Sequence, residues 1–285
     1  MSSLEDRIAR FGSIGFDEFV EAALYDADVG FFAGLGAAGR GRAGRSGGDF
    51  ITSPEVGPLF GAVVARWLDA RWNELGRPDP FVVVEAGAGR GALAISVLAA
   101  EPACAPALRY VLVERSAGLR RVQGEHLALS HPAEVLGPDG DADAGVESPS
   151  ARSGPLVCSL ESLPVERVDG VVIANELLDN IAFRLFEKSA DDKNAADGFA
   201  EGWSEVRVTV DSGRLVELLV PADPDVAARL HALAPDARSG ARVPLQDAAV
   251  DWVRCAFDVL HRGSVVVIDY AASTTASLAD RPVGE

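Results

Sequence analysis

The amino-acid sequence predicts an α/β fold built on a parallel β-sheet with helices on both faces. The apolar run Phe81–Val84 shows no alternation, which is typical of a strand buried on both faces. From residue 81 onward, strand-like and helical patterns alternate, as they do in doubly wound sheets. Most of the strand candidates end in polar or acidic residues, and the carboxyl ends of parallel strands form the ligand-binding edge of such sheets.

The predicted elements follow in order along the chain. Residues 4–24 carry an apolar pattern that Gly12 and Gly15 interrupt, which predicts two short helices. The stretch Thr52–Glu55 has the spacing of a helix cap, and a helix follows it that ends near Gly76. The strands predicted for the core sheet are Phe81–Glu85, Tyr110–Glu114, Leu156–Leu160, Gly170–Ala174 and Ser264–Asp269.

Two further patterns interrupt this alternation. Residues 183–220 alternate apolar and polar side chains in three segments, which predicts antiparallel strands in a β insertion. A helix is predicted over Leu245–His261, with Gly263 as its C-cap. The expected domains are therefore an N-terminal helical extension with a glycine-rich loop, over residues 1–79, and a core with the insertion, over residues 80–285.

Composition restricts the partners and the compartment. The formal net charge of −17 argues against binding to nucleic acid or to an anionic membrane. Cys104, Cys158 and Cys255 lie far apart, so neither a zinc site nor a disulfide framework is expected. The first residues lack the pattern of a signal peptide, and no apolar run is long enough to span a membrane. We therefore expect a cytoplasmic protein without a metal.

The residues after the first core strand predict a nucleoside-binding turn. Glu85 ends the strand, and Gly87, Gly89 and Gly91 alternate before a helix that begins at Ala92. Glycine lets a ligand approach the main chain, and a helix N-terminus offers free N–H groups. Gly87, Gly89 and Ala92 also meet the dinucleotide fingerprint, which keeps NAD(P) open. The acid favours S-adenosylmethionine (AdoMet) instead, because a carboxylate attracts its ammonium and sulfonium groups.

Polar residues at the other strand ends are expected beside this turn. Glu114 ends the second strand, where nucleoside-binding folds carry a carboxylate for the ribose hydroxyls. Glu161 and Ser162 follow the third strand, and Asn175–Asp179 follow the fourth. Since parallel strands end at the same edge of a sheet, these residues are predicted to gather there.

Several stretches occur in an order that resembles the MidA family of AdoMet-dependent methyltransferases. They are Ala23–Asp26 with Gly30–Phe32, Gly48–Glu55, Glu85–Gly91, Ala174–Asp179 and Ile268–Tyr270. The second of them, Gly-Asp-Phe-Ile-Thr-Ser-Pro-Glu, separates this family from other methyltransferases. The resemblance extends from residue 15 to residue 270 and implies an AdoMet-binding Rossmann-like core. Members continue with further core strands, so it also implies that C-terminal core strands are missing here.

The resemblance further implies transfer of the AdoMet methyl group to an arginine of a protein partner. Glu176 and Asp179 are then the candidates to hold the guanidinium and accept its proton, with Asn175 near the methionine end of AdoMet. Asp49 and Thr52 are expected over the glycine turn, beside the cofactor. A small-molecule methyltransferase and a non-catalytic AdoMet-binding assembly factor remain alternatives, and a homodimer stays open.

Overall fold

The structure is a computed structural model that describes residues 4–26, 28, 30–32, 58–137, 153–189, 202–271 and 274–275. Its strands are β1 (Ile14–Gly15), β2 (Phe81–Ala86), β3 (Leu108–Val113), β4 (Leu156–Leu160), β5 (Val168–Asn175), β6 (Arg184–Lys188), β7 (Trp203–Asp211), β8 (Arg214–Pro221), β9 (Arg242–Leu245) and β10 (Leu260–Ile268). Its helices are α1 (Leu4–Phe11), α2 (Phe16–Tyr25), α3 (Pro58–Glu74), α4 (Ala92–Ala99), α5 (Ala117–His126), α6 (Pro132–Leu136), α7 (Pro224–Leu233) and α8 (Asp247–Asp258). A 3₁₀ turn, Leu178–Asn180, follows β5.

The chain divides into two compact units. One comprises the described residues of 1–23, 181–250 and 270–285, and the other those of 24–180 and 251–269. This division differs from the expected boundary between residues 79 and 80. Helix α3 packs in the core of the second unit, and the inserted segment extends beyond residue 220 because β9 adds a strand to its sheet.

The second unit contains, within its described residues, a five-stranded parallel sheet in the order β10-β5-β2-β3-β4. Every residue of β2 and β3 is buried, as their apolar sequences predicted. Side chains of α3 and α4 pack on one face of the sheet, and side chains of α6 and α8 pack on the other. The predicted α/β class with a parallel core is therefore confirmed, and the strand ends differ from the predicted ones by a few residues.

Gly263 lies inside β10 and is not the helix C-cap that the sequence suggested. Helix α8 ends at Asp258, and β10 already begins at Leu260. A Cβ atom at Gly263 would lie 1.8 Å from the carbonyl oxygen of Gly170 on β5. The close approach of two strand backbones, and not a helix end, therefore requires glycine at this position.

The first unit is built on an antiparallel sheet in which the described strands pair in the order β1-β7-β6-β9. Strand β8 lies off this path and also pairs with β7. The alternating pattern predicted β6, β7 and β8, whereas α7 and β9 had no such signal. Its core includes Phe186, Trp203 and Leu230, which are almost fully buried. Strand β8 is an edge strand, and Leu215 and Leu219 on it remain about half exposed.

Candidate functional site

Strand register brings the predicted polar residues to one edge of the parallel sheet. Ala86 of β2 pairs with Val113 of β3 and with Ala174 of β5. Val113 pairs in turn with Leu160 of β4. The next residues of the four strands are therefore level with one another at this edge: Gly87, Glu114, Asn175 and Glu161.

The three glycines of the turn serve different purposes. All have left-handed backbone angles, with φ of 69° at Gly87, 54° at Gly89 and 83° at Gly91. A Cβ atom at Gly87 would lie 2.8 Å from Leu177 Cδ1, so the turn lies against the residues that follow β5. At Gly89 no heavy atom of the described residues lies within 4 Å of that position. Gly89 is therefore where a ligand could approach the main chain.

Glu85 lies beneath the turn and does not face its open side. Its carboxyl group is almost fully buried and accepts a 2.7 Å hydrogen bond from the Tyr110 hydroxyl. The backbone N–H of Ala94, in the first turn of α4, is a second donor. Burial raises the pKa of Glu85 to about 7, although both hydrogen bonds oppose that change. The expected direct contact with a cationic ligand does not fit this position, because the first turn of α4 covers the side chain.

Glu114 is held at the open side of the turn by two backbone donors. Its Oε2 accepts a 2.9 Å hydrogen bond from Gly89 N, and its Oε1 accepts a 2.8 Å bond from Ser116 N. Burial raises the pKa of Glu114, and the two N–H donors act against that rise. Each carboxylate oxygen can accept a further bond. This fixed carboxylate suits a ligand that presents two neighbouring hydroxyl groups, such as a ribose.

Glu114→Gln is expected to weaken the binding of S-adenosylhomocysteine by about 10- to 100-fold, the range that corresponds to a charge-assisted hydrogen bond. The new amide N–H₂ would face one of the two backbone donors, and the pair would repel. Calorimetric titration of the purified protein measures the effect. Glu125→Gln, on an exposed acid of α5, is the matched control and should leave the affinity unchanged.

Asn175 presents an unsatisfied acceptor at the end of β5. Its Oδ1 is buried and has no hydrogen-bond partner among the described residues. Buried polar atoms are nearly always paired, so this atom suggests a donor from a ligand or from a residue beyond the described ranges. The next residue, Glu176, has φ of 51°, a left-handed angle that is costly for any residue except glycine. The chain therefore turns sharply at the point where the predicted catalytic residues begin.

A group of acids lies around the sharp turn at Glu176. The Leu178 N–H donates a 2.8 Å hydrogen bond to Asp269 Oδ2, at the end of β10. The pKa of Asp179 is raised by burial first, and then by the negative charges of Asp269 and Glu176. Because these carboxylates repel one another, a cation bound among them would be stabilised.

The remaining predicted residues lie farther out or outside the described part. The Glu161 side chain is 74% exposed and pairs with Arg120 at 3.1 Å, and Ser162 is exposed as well. Among the described residues, neither side chain has a hydrogen bond or ion pair to the glycine turn. Asp49 and Thr52 fall outside the described residues. The roles assigned to these four residues stay predictions.

Sequence reasoning had assigned no role to an aromatic residue at this edge. The Tyr25 hydroxyl donates a 3.2 Å hydrogen bond to the Asn180 carbonyl, beyond the end of β5. The Arg115 guanidinium lies 4.0 Å from the centre of the Tyr25 ring, and Ser116 Oγ donates to the Phe32 carbonyl at 3.0 Å. Tyr25 and Phe32 therefore contact residues that follow both β3 and β5. The only sequence signal for them was their place in the MidA resemblance.

Two negative findings apply to the described residues alone. They contain no cluster of three or more His, Cys, Asp or Glu side chains arranged to hold a metal ion. Among the same residues, no helix combines the length and apolar character that crossing a membrane requires.

Comparison with known proteins identifies the family. A family model described as "Putative S-adenosyl-L-methionine-dependent methyltransferase" matches residues 63–284. Among solved structures, the chain is similar to a protein from Burkholderia thailandensis that is bound to S-adenosylhomocysteine. The two are 34% identical with a TM-score of 0.71, over 94% of this chain and 61% of that one.

Curated relatives point the same way. The Homo sapiens protein arginine methyltransferase NDUFAF7, mitochondrial, is 27% identical over 61% of this chain and 39% of its own length. Its Danio rerio counterpart is 26% identical over 74% of this chain and 47% of its own length. The Drosophila melanogaster homolog is 34% identical over 45% of this chain and 28% of its own length. The chain thus spans less than half the length of these relatives.

The comparisons overturn one prediction and identify the family. The expected cytoplasmic location is wrong on this comparison, because the relatives are named as mitochondrial proteins. Widely separated cysteines indicate a compartment that keeps thiols reduced, which is not specific to the cytoplasm. The resemblance to methyltransferases is confirmed, with a parallel sheet and a glycine turn of the expected kind. The chain belongs to the MidA-like family of AdoMet-dependent methyltransferases.

Proposed function

We propose that the chain binds AdoMet at the turn between β2 and α4 and transfers its methyl group to a nitrogen of a protein arginine. The observation that carries this proposal is the register that places Glu114, the glycine turn and the acids after β5 at one edge of the sheet. The relatives named as protein arginine methyltransferases support the choice of acceptor.

The residues around the turn are suited to AdoMet in three respects. The open space at Gly89 gives access to the main chain, and Glu114 would accept hydrogen bonds from the ribose hydroxyls. The unsatisfied Oδ1 of Asn175 would accept one from the ammonium group. AdoMet, when bound, supplies a methyl group that is already activated. The protein therefore has to align the acceptor and exclude water.

Glu176 and Asp179 would bind and deprotonate the acceptor. A guanidinium is a planar donor that carboxylates bind through paired hydrogen bonds, and it must lose a proton to become a good nucleophile. The raised pKa of Asp179 makes its carboxylate a better proton acceptor than an ordinary aspartate. Asn180 Nδ2 donates to Asp179 Oδ1 at 2.8 Å, which orients that carboxylate.

Asp179→Asn is expected to lower methyl transfer by about 100-fold, a typical contribution of a general base, and to leave the affinity for S-adenosylhomocysteine unchanged. The assay is transfer of radiolabel from AdoMet to proteins of a cell lysate by the full chain, followed by hydrolysis and detection of methylarginine. Glu166→Gln, just before the start of β5 and so away from the carboxyl ends of the strands, is the control and should behave like the wild type.

Three other results would redirect the proposal. Label in small molecules alone would indicate a small-molecule methyltransferase. Binding of S-adenosylhomocysteine without transfer to any acceptor would indicate an AdoMet-binding assembly factor. Label on protein residues other than arginine would remove the arginine assignment and keep the methyltransferase.

A further inference from the structure

We infer that Gln123 and Ser159 are positioning residues that set the conformation of the glycine turn and thereby the affinity for AdoMet. Neither was a candidate in the sequence, and neither is expected to touch the cofactor. This inference rests on the proposed AdoMet site. It adds two residues that act on the glycine turn through hydrogen bonds and not through the ligand.

Gln123 connects strand β4 to the turn through one buried amide. It lies on α5 with no exposed surface. Its Nε2 donates a 2.7 Å hydrogen bond to the carbonyl oxygen of Gly89. Its Oε1 accepts a 2.6 Å bond from the hydroxyl of Ser159, on β4. Because a carbonyl oxygen can only accept, the orientation of the amide is fixed, and so is the direction in which the hydroxyl donates.

The two peptide groups that flank Gly89 are thus held from opposite sides. Glu114 accepts from the N–H of Gly89, and Gln123 donates to the carbonyl oxygen of Gly89. A glycine that is not held in this way samples many backbone conformations, including both signs of φ. These two hydrogen bonds, one to the N–H and one to the carbonyl oxygen of Gly89, restrict the residue to the observed left-handed angle of 54°. The turn is therefore ordered before a ligand arrives.

The same chain of bonds connects the turn to the carboxylate proposed to hold the ribose. Its members are Ser159, Gln123, Gly89, Glu114 and Ser116, and each is joined to the next by one hydrogen bond. Loss of the Gln123 bond would free the Gly89 carbonyl to rotate, and the N–H that orients Glu114 would lose its fixed direction. Preorganisation of this kind raises affinity by reducing the ordering that binding requires.

A purely structural role is the alternative. A buried glutamine is unfavourable unless its amide is bonded, which could by itself explain the two contacts. In that case its removal would lower the stability of the protein without changing the affinity of the molecules that remain folded. The two roles therefore differ in what happens to binding.

The test is calorimetric titration with S-adenosylhomocysteine at a temperature where each variant is folded by circular dichroism. Ser159→Ala removes one hydroxyl and should weaken binding by about 2- to 10-fold, and Gln123→Leu removes both bonds and should weaken it by about 10- to 100-fold. Trp72→Phe is the matched control. It removes a 2.9 Å hydrogen bond to the Pro78 carbonyl, away from the turn, and should lower stability alone.

Gln123→Glu adds a readout that a structural role would not give. An ionised carboxylate cannot donate to the Gly89 carbonyl, whereas a protonated one can donate to it and still accept from Ser159. The affinity of this variant, divided by that of the wild type at the same pH, should therefore rise about 5-fold or more between pH 8 and pH 6. Division by the wild type removes the pH effects that the two proteins share.

The possible failures are separable. A wild-type protein that does not bind S-adenosylhomocysteine would overturn the proposed function. Wild-type affinity in folded Ser159→Ala and Gln123→Leu, or a Gln123→Glu ratio that does not change with pH, would overturn the positioning role alone. If Gln123→Leu does not fold, Ser159→Ala and the pH ratio decide the matter.

Discussion

Gly89→Val is expected to reduce the affinity for S-adenosylhomocysteine by at least about 100-fold, or about 2.7 kcal/mol, and to leave the protein folded. The space beside Gly89 is open, so the valine side chain has no described neighbour to clash with. It would instead fill the position from which a ligand approaches the main chain. The left-handed angle at Gly89 costs about 1–2 kcal/mol for a residue with a Cβ atom, which is small against a typical stability of about 5–15 kcal/mol.

Gly76→Val separates the loss of binding from the strain. Gly76 also has a left-handed angle, with φ of 84°, and no described heavy atom near its Cβ position. It lies just after α3, away from the strand ends that form the site. Both variants should show a similar decrease in the free energy of unfolding, and only Gly89→Val should lose affinity. Equal affinities in the two variants would disprove the proposed approach of the cofactor at Gly89.

Glu85→Gln is expected to change the pH dependence of stability. The folded-state pKa of about 7 lies above the ordinary 4.5. Between those values the folded protein binds more protons at this group than the unfolded chain, so the free energy of unfolding falls as pH rises. From pH 5.5 to pH 8 this group alone removes about 2 kcal/mol of stability, at about 1.36 kcal/mol per pKa unit. Over that interval the variant should gain this amount relative to the wild type.

Urea denaturation at both pH values measures this difference, and titration of the other acids largely cancels in it. Tyr110→Phe is the opposing control. The Tyr110 hydroxyl lowers the pKa of Glu85, so its removal should raise that pKa further and steepen the decrease in stability. If Glu85→Gln kept the wild-type pH dependence, Glu85 would not be the buried acid that the structure indicates.

The parallel core could be predicted because its signal is local. Strands such as β2 and β3 are covered on both faces, so their sequences are mostly apolar, and Glu85 and Arg109 are the charged exceptions. The glycine turn was recognisable for a similar reason, since a strand, a turn and a helix N-terminus are adjacent in sequence. Glu114 could be expected at the same edge because it follows the next strand along the chain. Once the strands are parallel and in register, the gathering of their ends follows from geometry.

The rest depends on contacts between residues that are distant in sequence. In the sequence, Glu85 looked accessible to a ligand because it ends an apolar strand beside the glycine turn. Only the packing of α4 over its side chain shows that it is buried. Gln123 had been assigned no role from the sequence, and its partner Ser159 lies 36 residues further along the chain. Strand β9 is only four residues long and contains Pro244, a residue that argues against a strand in sequence. No local pattern in the sequence carries information of this kind.

The left-handed backbone at Glu176 has an energetic consequence for the proposed acceptor site. A glycine would adopt this conformation more readily, by about 1–2 kcal/mol, yet the chain has an acid there. Strain that the surroundings maintain is concentrated where proteins perform chemistry. Under the proposed function, this backbone strain is the free energy that the fold loses by having a carboxylate, and not a glycine, at the end of β5.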